Sequence, residues 1–329
     1  MRDQSSSDSD EALRLAASSF NLDNHQIKQA LLFSAKSQAY QNLKDLSNAK
    51  TEIKQSQSDL SKADQKFLDS SQGLQVQVLV QKTQGDLLAQ NEQTQKAIQS
   101  YREAFNILKE HPNETDFTKD NQLLTGENIE SVYRSLIKLK PQDKEVETSL
   151  TKHLYAQLEY FLKAKNWSDA DDKTYRLMLN IAKREEQGYL DYDNINSFSC
   201  PDLQRIDQLW VSNSDKLFGF SVQKEIWIKT GNRLGIKPNE WTDKDELNFI
   251  RFATVVGWYT YKQNGSSRGR GDYVSYTELI QGIKDKPTRV YKGTLYPRKG
   301  DYPLPSKNIP FFSFLKFFPF SLLLSRCDL

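Results

Sequence analysis

The stretch Cys200–Gly231, CPDLQRIDQLWVSNSDKLFGFSVQKEIWIKTG, decides the fold class of the aromatic half of the chain. Pro201 suits a first helical turn, where its missing N–H is one the helix leaves unpaired anyway. Leu203, Ile206, Leu209 and Trp210 then fall on one helical stripe. Gly219 between Phe218 and Phe220 predicts a tight turn that sends both rings inward. Ser221 is the expected cap of a second helix carrying Val222, Ile226 and Trp227, with Gly231 as its stop. These helices and rings belong to a compact, loop-bearing domain.

Upstream, NWSDADDKTYRLMLNIAKREEQGYL (166–190) opens the same domain. Ser168 with Asp171 three positions on resembles a capping box, and Thr174, Leu177, Met178 and Ile181 line one face. Asp169, Asp171 and Asp172 sit where the helix dipole favours negative charge, which explains them without a metal. A short helix is expected over Tyr192–Phe198. One more is expected over Trp241–Tyr261, followed by a basic, Gly-bearing loop, KQNGSSRGRGDYV. The segment Ile309–Leu324 is strongly apolar but is shorter than the roughly 20 residues of a membrane span. It also contains Lys316 and Pro319. The expectation is a tail (309–329) folded back on the core, with interfacial membrane contact as the rival.

The composition divides the 329 residues near Lys163–Trp167. All five Trp lie beyond that point, whereas the first part contains only Pro112 and Pro141 and is rich in Gln, Ala, Leu and Lys. Such a stretch reads as helical. Apolar positions at Ile27, Ala30, Leu31, Ala35 and Ala39 predict a helix over Gln26–Leu43. Others are expected at Leu46–Leu60, Leu74–Ala89, Glu92–Lys109, Asn128–Lys138 and Val146–Leu162. Gly85, then Ala97, Tyr101 and Ala104, follow the offsets of a tetratricopeptide-like repeat, and Tyr133 with Pro141 fits the end of the next. Residues 1–163 are therefore read as an antiparallel helical repeat array and 164–329 as a second, helical domain. Stacked helix pairs make a concave platform for a peptide or protein partner; the competing reading is a helical spacer.

Net charge is +2, which gives no electrostatic case for nucleic acid. The two cysteines, Cys200 and Cys327, are too few for a disulfide scaffold or a zinc ribbon. His25, His111 and His153 lack metal-ligand spacing and read as solvated, and residues 154–329 contain no histidine. No phosphate loop, HExxH or GxSxG string occurs. Cys200-Pro201 is also the dipeptide of some thiolate haem ligands, but the helix start explains Pro201 better. The pattern favours a binding protein over an enzyme, with no catalytic and no metal-ligating residues assigned.

The run from Trp167 to Gln223 resembles the genomes-uncoupled-four (GUN4-like) family. The resemblance rests on Trp167, Ala170-Asp171, Thr174, Gly188-Tyr189-Leu190, Phe198, Asp202-Leu203, Ile206-Asp207, Leu209-Trp210 and FGFSVQ at 218–223. Gly257-Trp258 and Leu304-Pro305 look like later landmarks, so it extends over about 164–310. It implies an all-helical domain with a greasy concave surface that binds protoporphyrin IX or magnesium protoporphyrin IX. It also implies assistance to magnesium chelatase in chlorophyll synthesis, in a cyanobacterial cytoplasm or a plastid stroma. By position, Tyr192 matches a cleft aromatic of the family. Leu190, Ile195, Trp227 and Trp258 are apolar candidates for the same wall, as a large flat pigment requires. By charge alone, and not by a family match, Arg289, Lys292, Arg298 and Lys299 are the cations expected to meet its carboxylates. After Leu304-Pro305, Ile309, Pro310, Phe311 and Phe312 stand where chelatase partners of the family carry basic residues. The alternative function is a scaffold or signalling adaptor that keeps this fold without pigment.

Overall fold

A computed structural model describes residues 24–120, 122–261, 271–274, 276–285 and 321–329. They pack as two compact units that divide between His153 and Leu154.

The first unit is built from α1 (His25–Asn42), α2 (Leu46–Lys62), the short α3 (Gln65–Leu68), α4 (Ser71–Gln90), α5 (Thr94–Glu110) and α6 (Gly126–Leu139). The first half of α7 (Lys144–Lys163) completes it. The expected helices are all present, with ends shifted by a few residues. Neighbours in sequence pair: α1 with α2, α4 with α5, α5 with α6. The buried face of α1 differs from the expected apolar one. Ile27, Ala30, Ser34, Ser37 and Gln41 are buried, while Leu31, Ala35 and Ala39 are only partly so. The reason is close approach. Ser37 donates to the Ala49 carbonyl at 2.8 Å, and Ser56 of α2 donates back to the Ala30 carbonyl at 2.7 Å. Small hydroxyl side chains bring the backbones together and satisfy themselves in doing so. In the next pair, a Cβ added at Gly85 would stand 2.7 Å from the Tyr101 ring, so the α4–α5 contact requires the glycine. His153 corrects the reading of a solvated side chain. It is 8% exposed, its Nε2 lies 2.7 Å from the Gly126 carbonyl oxygen, and its ring meets Phe117 and Tyr133 edge-on.

The second unit contains the rest of α7, then α8 (Trp167–Ile181), α9 (Tyr192–Asn196), α10 (Cys200–Asn213), α11 (Phe220–Lys229), α12 (Asp243–Val255) and α13 (Tyr276–Asp285). The packing division thus precedes the compositional boundary, because contacts rather than residue type decide it. Tyr155 of α7 donates to Asp202 at 2.8 Å, and the Arg205 guanidinium lies 3.9 Å from its ring centroid. Burial and Asp202 together push the Tyr155 phenol well above its ordinary value.

Two nests of rings form the core. Phe218 packs edge-on to Trp167 and Trp210, with centroids 5.0 and 6.1 Å away. Trp227 packs on Phe249 and Phe252, and Phe252 on Trp258. As expected, Phe218 and Phe220 both turn inward.

Three local readings are corrected. The cap of α8 is Asn166, whose side chain faces the Asp169 amide, and not Ser168. Gly219, and not Ser221, occupies the cap position of α11; its φ of +140° suits glycine alone. The helix expected through Tyr261 stops at Val255. Gly257 follows with φ +80°, and Tyr259–Tyr261 instead pairs antiparallel with Gly271–Tyr273. This pair is the only β-structure among the described residues.

Candidate functional site

The loop from α8 to α9 carries the accessible part of the expected site. Helix α8 ends at Ala182 with Lys183 in the left-handed region, and the Arg184 amide closes onto the Leu179 carbonyl at 2.8 Å. The Gly188 amide then donates to the Arg184 carbonyl at 3.0 Å, and the Tyr175 hydroxyl donates to the Gly188 carbonyl. These bonds hold Tyr189, Leu190 and Asp191 in fixed order. Asp191 caps α9 reciprocally: its Oδ1 accepts the Asn194 amide at 2.9 Å, and Asn194 Oδ1 accepts the Asp191 amide at 3.1 Å. Tyr192 is therefore the first residue of an anchored helix.

Leu190 and Tyr192 are half-buried, Tyr189 is 40% exposed, and Ile195 is buried. Arg184 lies alongside. Its guanidinium carbon is 5.6 Å from the Tyr189 ring centroid and its Nη2 is 3.3 Å from Asp191 Oδ2. Its Nε is buried with no hydrogen-bond partner among the described residues. The result is an apolar lip with a partly committed cation at its edge. Sequence reading passed over Arg184; the available signal was a cation just upstream of the Gly188-Tyr189-Leu190 string.

The other two expected wall residues differ from Leu190 and Tyr192 in burial. Trp227 is 0% exposed and Trp258 is 3% exposed. Phe249 and Phe252 pack on the Trp227 ring, and Phe252 packs on Trp258. Both rings belong to the core of the second unit. Arg289, Lys292, Arg298 and Lys299 lie outside the described residues. Ile228, Leu247 and Val255 form exposed apolar positions on α11 and α12 that sequence reading did not single out.

Supporting contacts explain the short motif strings. Trp210 Nε1 donates to Thr174 Oγ1 at 2.8 Å, tying α10 to α8. Trp227 Nε1 donates to the Arg233 carbonyl at 2.9 Å. Arg233 in turn holds Asp245 through two hydrogen bonds, of 2.9 and 2.7 Å. That pairing, with the Thr242 bonds, keeps the Asp245 carboxyl well below the usual carboxylate range. Cys200 and Cys327 are bonded to each other. This corrects the reading that treated them separately, and while bonded Cys200 offers no thiolate ligand. Among the described residues, no group of three His, Cys, Asp or Glu side chains is placed to hold a metal ion, and no helix is long and apolar enough to cross a membrane.

Residues 148–277 match the family described as GUN4-like. The chloroplastic tetrapyrrole-binding protein of Arabidopsis thaliana is 38% identical over 110 residues, which are 33% of this chain and 36% of that protein. The uncharacterized protein ycf53 of Porphyra purpurea is 32% identical over 140 residues, 40% of this chain and 52% of the other. The Ycf53-like protein of Synechocystis sp. is 29% identical over 98 residues, 27% of this chain and 42% of the other. The chain thus spans between about a third and a half of the length of these relatives. The ligand-free structure of Arabidopsis thaliana GUN4 aligns at 26% identity over 52% of this chain and 93% of that one, with a TM-score of 0.33.

Proposed function

We propose that this chain, whose residues 148–277 match the GUN4-like family, binds a tetrapyrrole and acts as a regulator without catalysing a reaction. The observation that carries the reading is the lip of Tyr189, Leu190 and Tyr192 with Arg184 at its edge. A porphyrin is a flat apolar plate with two carboxylates at one side. It needs aromatic and aliphatic contact over its face and a cation where its charge emerges. Leu190 and Tyr192 supply the face, Ile195 backs them, and Trp227 and Trp258 stiffen the domain behind. Arg184 supplies a cation, with Arg289, Lys292 and Arg298 as further candidates from the sequence. The pigment is protoporphyrin IX or its magnesium complex, and the regulated partner is magnesium chelatase, in a cyanobacterial or plastid setting. The helical array of the first unit holds a further protein partner.

The test is a titration of the full chain with deuteroporphyrin, following the Soret band and Trp emission. Saturable binding that Tyr192→Ala and Arg184→Ala both weaken supports the reading. No saturable binding by the folded chain overturns it. The second reading, a scaffold that retains the fold without pigment, is favoured by the enclosure of Trp227 and Trp258, and that same negative result would establish it.

A further inference from the structure

The segment 321–329 is seated on the second unit by more than its sulfur. Ser321, Leu322, Leu323 and Leu324 are buried. Gln204 Nε2 donates to the Cys327 carbonyl at 2.7 Å, and Arg326 donates to the Phe198 carbonyl at 3.0 Å. The Gly235 amide donates to the Ser321 carbonyl at 3.3 Å. Ser321 Oγ donates to the Arg233 carbonyl at 3.4 Å, the same oxygen that accepts the Trp227 indole N–H. The segment is therefore wired into the turn that also fixes Trp227 and, through the Arg233 side chain, Asp245.

We propose that the Cys200–Cys327 bond is a thiol-controlled clasp, closed when oxidised and opened by a dithiol reductant, whose opening releases segment 321–329 and loosens the turn beneath Trp227. Three features mark this bond as exchangeable. Neither cysteine is enclosed; both are half-buried. The chain has just these two cysteines, so the pair has no competing partner. Arg326 Nη2 lies 3.9 Å from Cys200 Sγ, at the first residue of α10, and the Arg326 Nε is buried without a hydrogen-bond partner among the described residues. A cation and a helix start both favour a thiolate. Cys200 is therefore the better leaving group, and attack falls on Cys327 Sγ.

The exchange balances without further reagents. A thiolate of the dithiol attacks Cys327 Sγ, and the S–S bond breaks to release the Cys200 thiolate. The second thiol of the reagent then displaces Cys327. Two electrons and two protons end on the protein thiols, and the dithiol leaves as its cyclic disulfide.

The test uses the full chain and graded dithiothreitol. Intact mass after maleimide labelling counts free thiols, and hydrogen exchange reads the turn. The oxidised chain should take no label and the reduced chain two. Reduction should raise exchange at 321–326 and 231–236 while leaving α4 and α5 unchanged. Arg326→Gln should slow the reduction several-fold at the same reagent concentration. Two labelled thiols in the air-oxidised chain, or a reduced chain whose turn exchanges as slowly as the oxidised one, would overturn the proposal. Cys327→Ser, which cannot close, should match the reduced chain; if that variant misfolds, the wild-type comparison still decides. The pigment titration is a separate readout, so failure there leaves this result standing.

Discussion

Asp207 Oδ1 accepts the amide hydrogen of Ser221 at 2.9 Å, so a carboxylate on α10 caps α11 from outside. Gly219 at the cap position has no side chain to offer. It cannot gain one either: a Cβ there would stand 2.7 Å from Asp207 Oδ1 and from Val211 Cγ2. The FGFSVQ string and the aspartate upstream of it are one device. Asp207→Ala should cost about 1–2 kcal/mol, the scale of a lost helix cap. Asp207→Asn keeps an acceptor and should cost less. Urea unfolding followed by far-UV circular dichroism gives both values, and equal losses for the two variants would refute the capping role.

Gly85→Ala tests the α4–α5 contact in the first unit. The added methyl meets the Tyr101 ring inside contact distance. Overpacking of this kind costs about 1–3 kcal/mol. Tyr101 is also held by its hydroxyl, which donates to Asp86 at 2.5 Å, so it cannot swing aside freely. The companion variant Tyr101→Leu should restore part of the loss, and a double-mutant cycle in urea measures the coupling.

Thr174→Val conserves shape and removes the acceptor of the Trp210 indole N–H. Trp210 is enclosed, so water cannot replace the bond. The expected loss is about 1–3 kcal/mol, the penalty for a stranded buried donor. Thermal unfolding measures it. An unchanged midpoint would show that the indole finds another acceptor.

Acid should weaken the second unit through Asp245. Its carboxyl is held below the unfolded value of 3.8, so it stabilises the fold above about pH 4 and loses that contribution as pH falls toward its folded value. Glu246 acts in the opposite sense, since burial pushes its carboxyl up. Comparing Asp245→Asn with the wild type therefore isolates one group. The variant should be less stable at pH 7, and the difference should begin to shrink as pH falls below about 4. Urea midpoints across that range check it.

Periodicity carried most of the fold. Helices of the first unit lie within a few residues of their expected ends because helical spacing and the lack of breakers mark where a helix runs, although in α1 the buried face is set by Ser34, Ser37 and Gln41 and not by the apolar residues alone. Which polar residue caps a helix was less legible. Ser168 and Ser221 satisfy a local pattern, yet Asn166 and the distant Asp207 do the work, and the latter bond joins residues on different helices. The stops at Lys44, Glu92, Lys165 and Lys183 carry positive φ without glycine, so no breaker marks them. His153 was misread because its burial depends on Phe117 and Tyr133, far away in sequence. The sulfur bond spans 127 residues, beyond the reach of any local signal. At the candidate site, Leu190 and Tyr192 come to attention through resemblance, and the structure leaves both half-buried. Arg184 does not, because its contacts with Tyr189 and Asp191 and its buried Nε appear only once the loop is folded.

Helix α7 runs unbroken from Lys144 to Lys163 across the division at His153. A cloning boundary set at residue 164, where the composition changes, would delete Tyr155 and leave Asp202 and Arg205 without the ring and hydroxyl they hold. The GUN4-like match begins at residue 148, before that tyrosine. A transplant of the second unit onto another carrier keeps these contacts when it brings the second half of α7 with it.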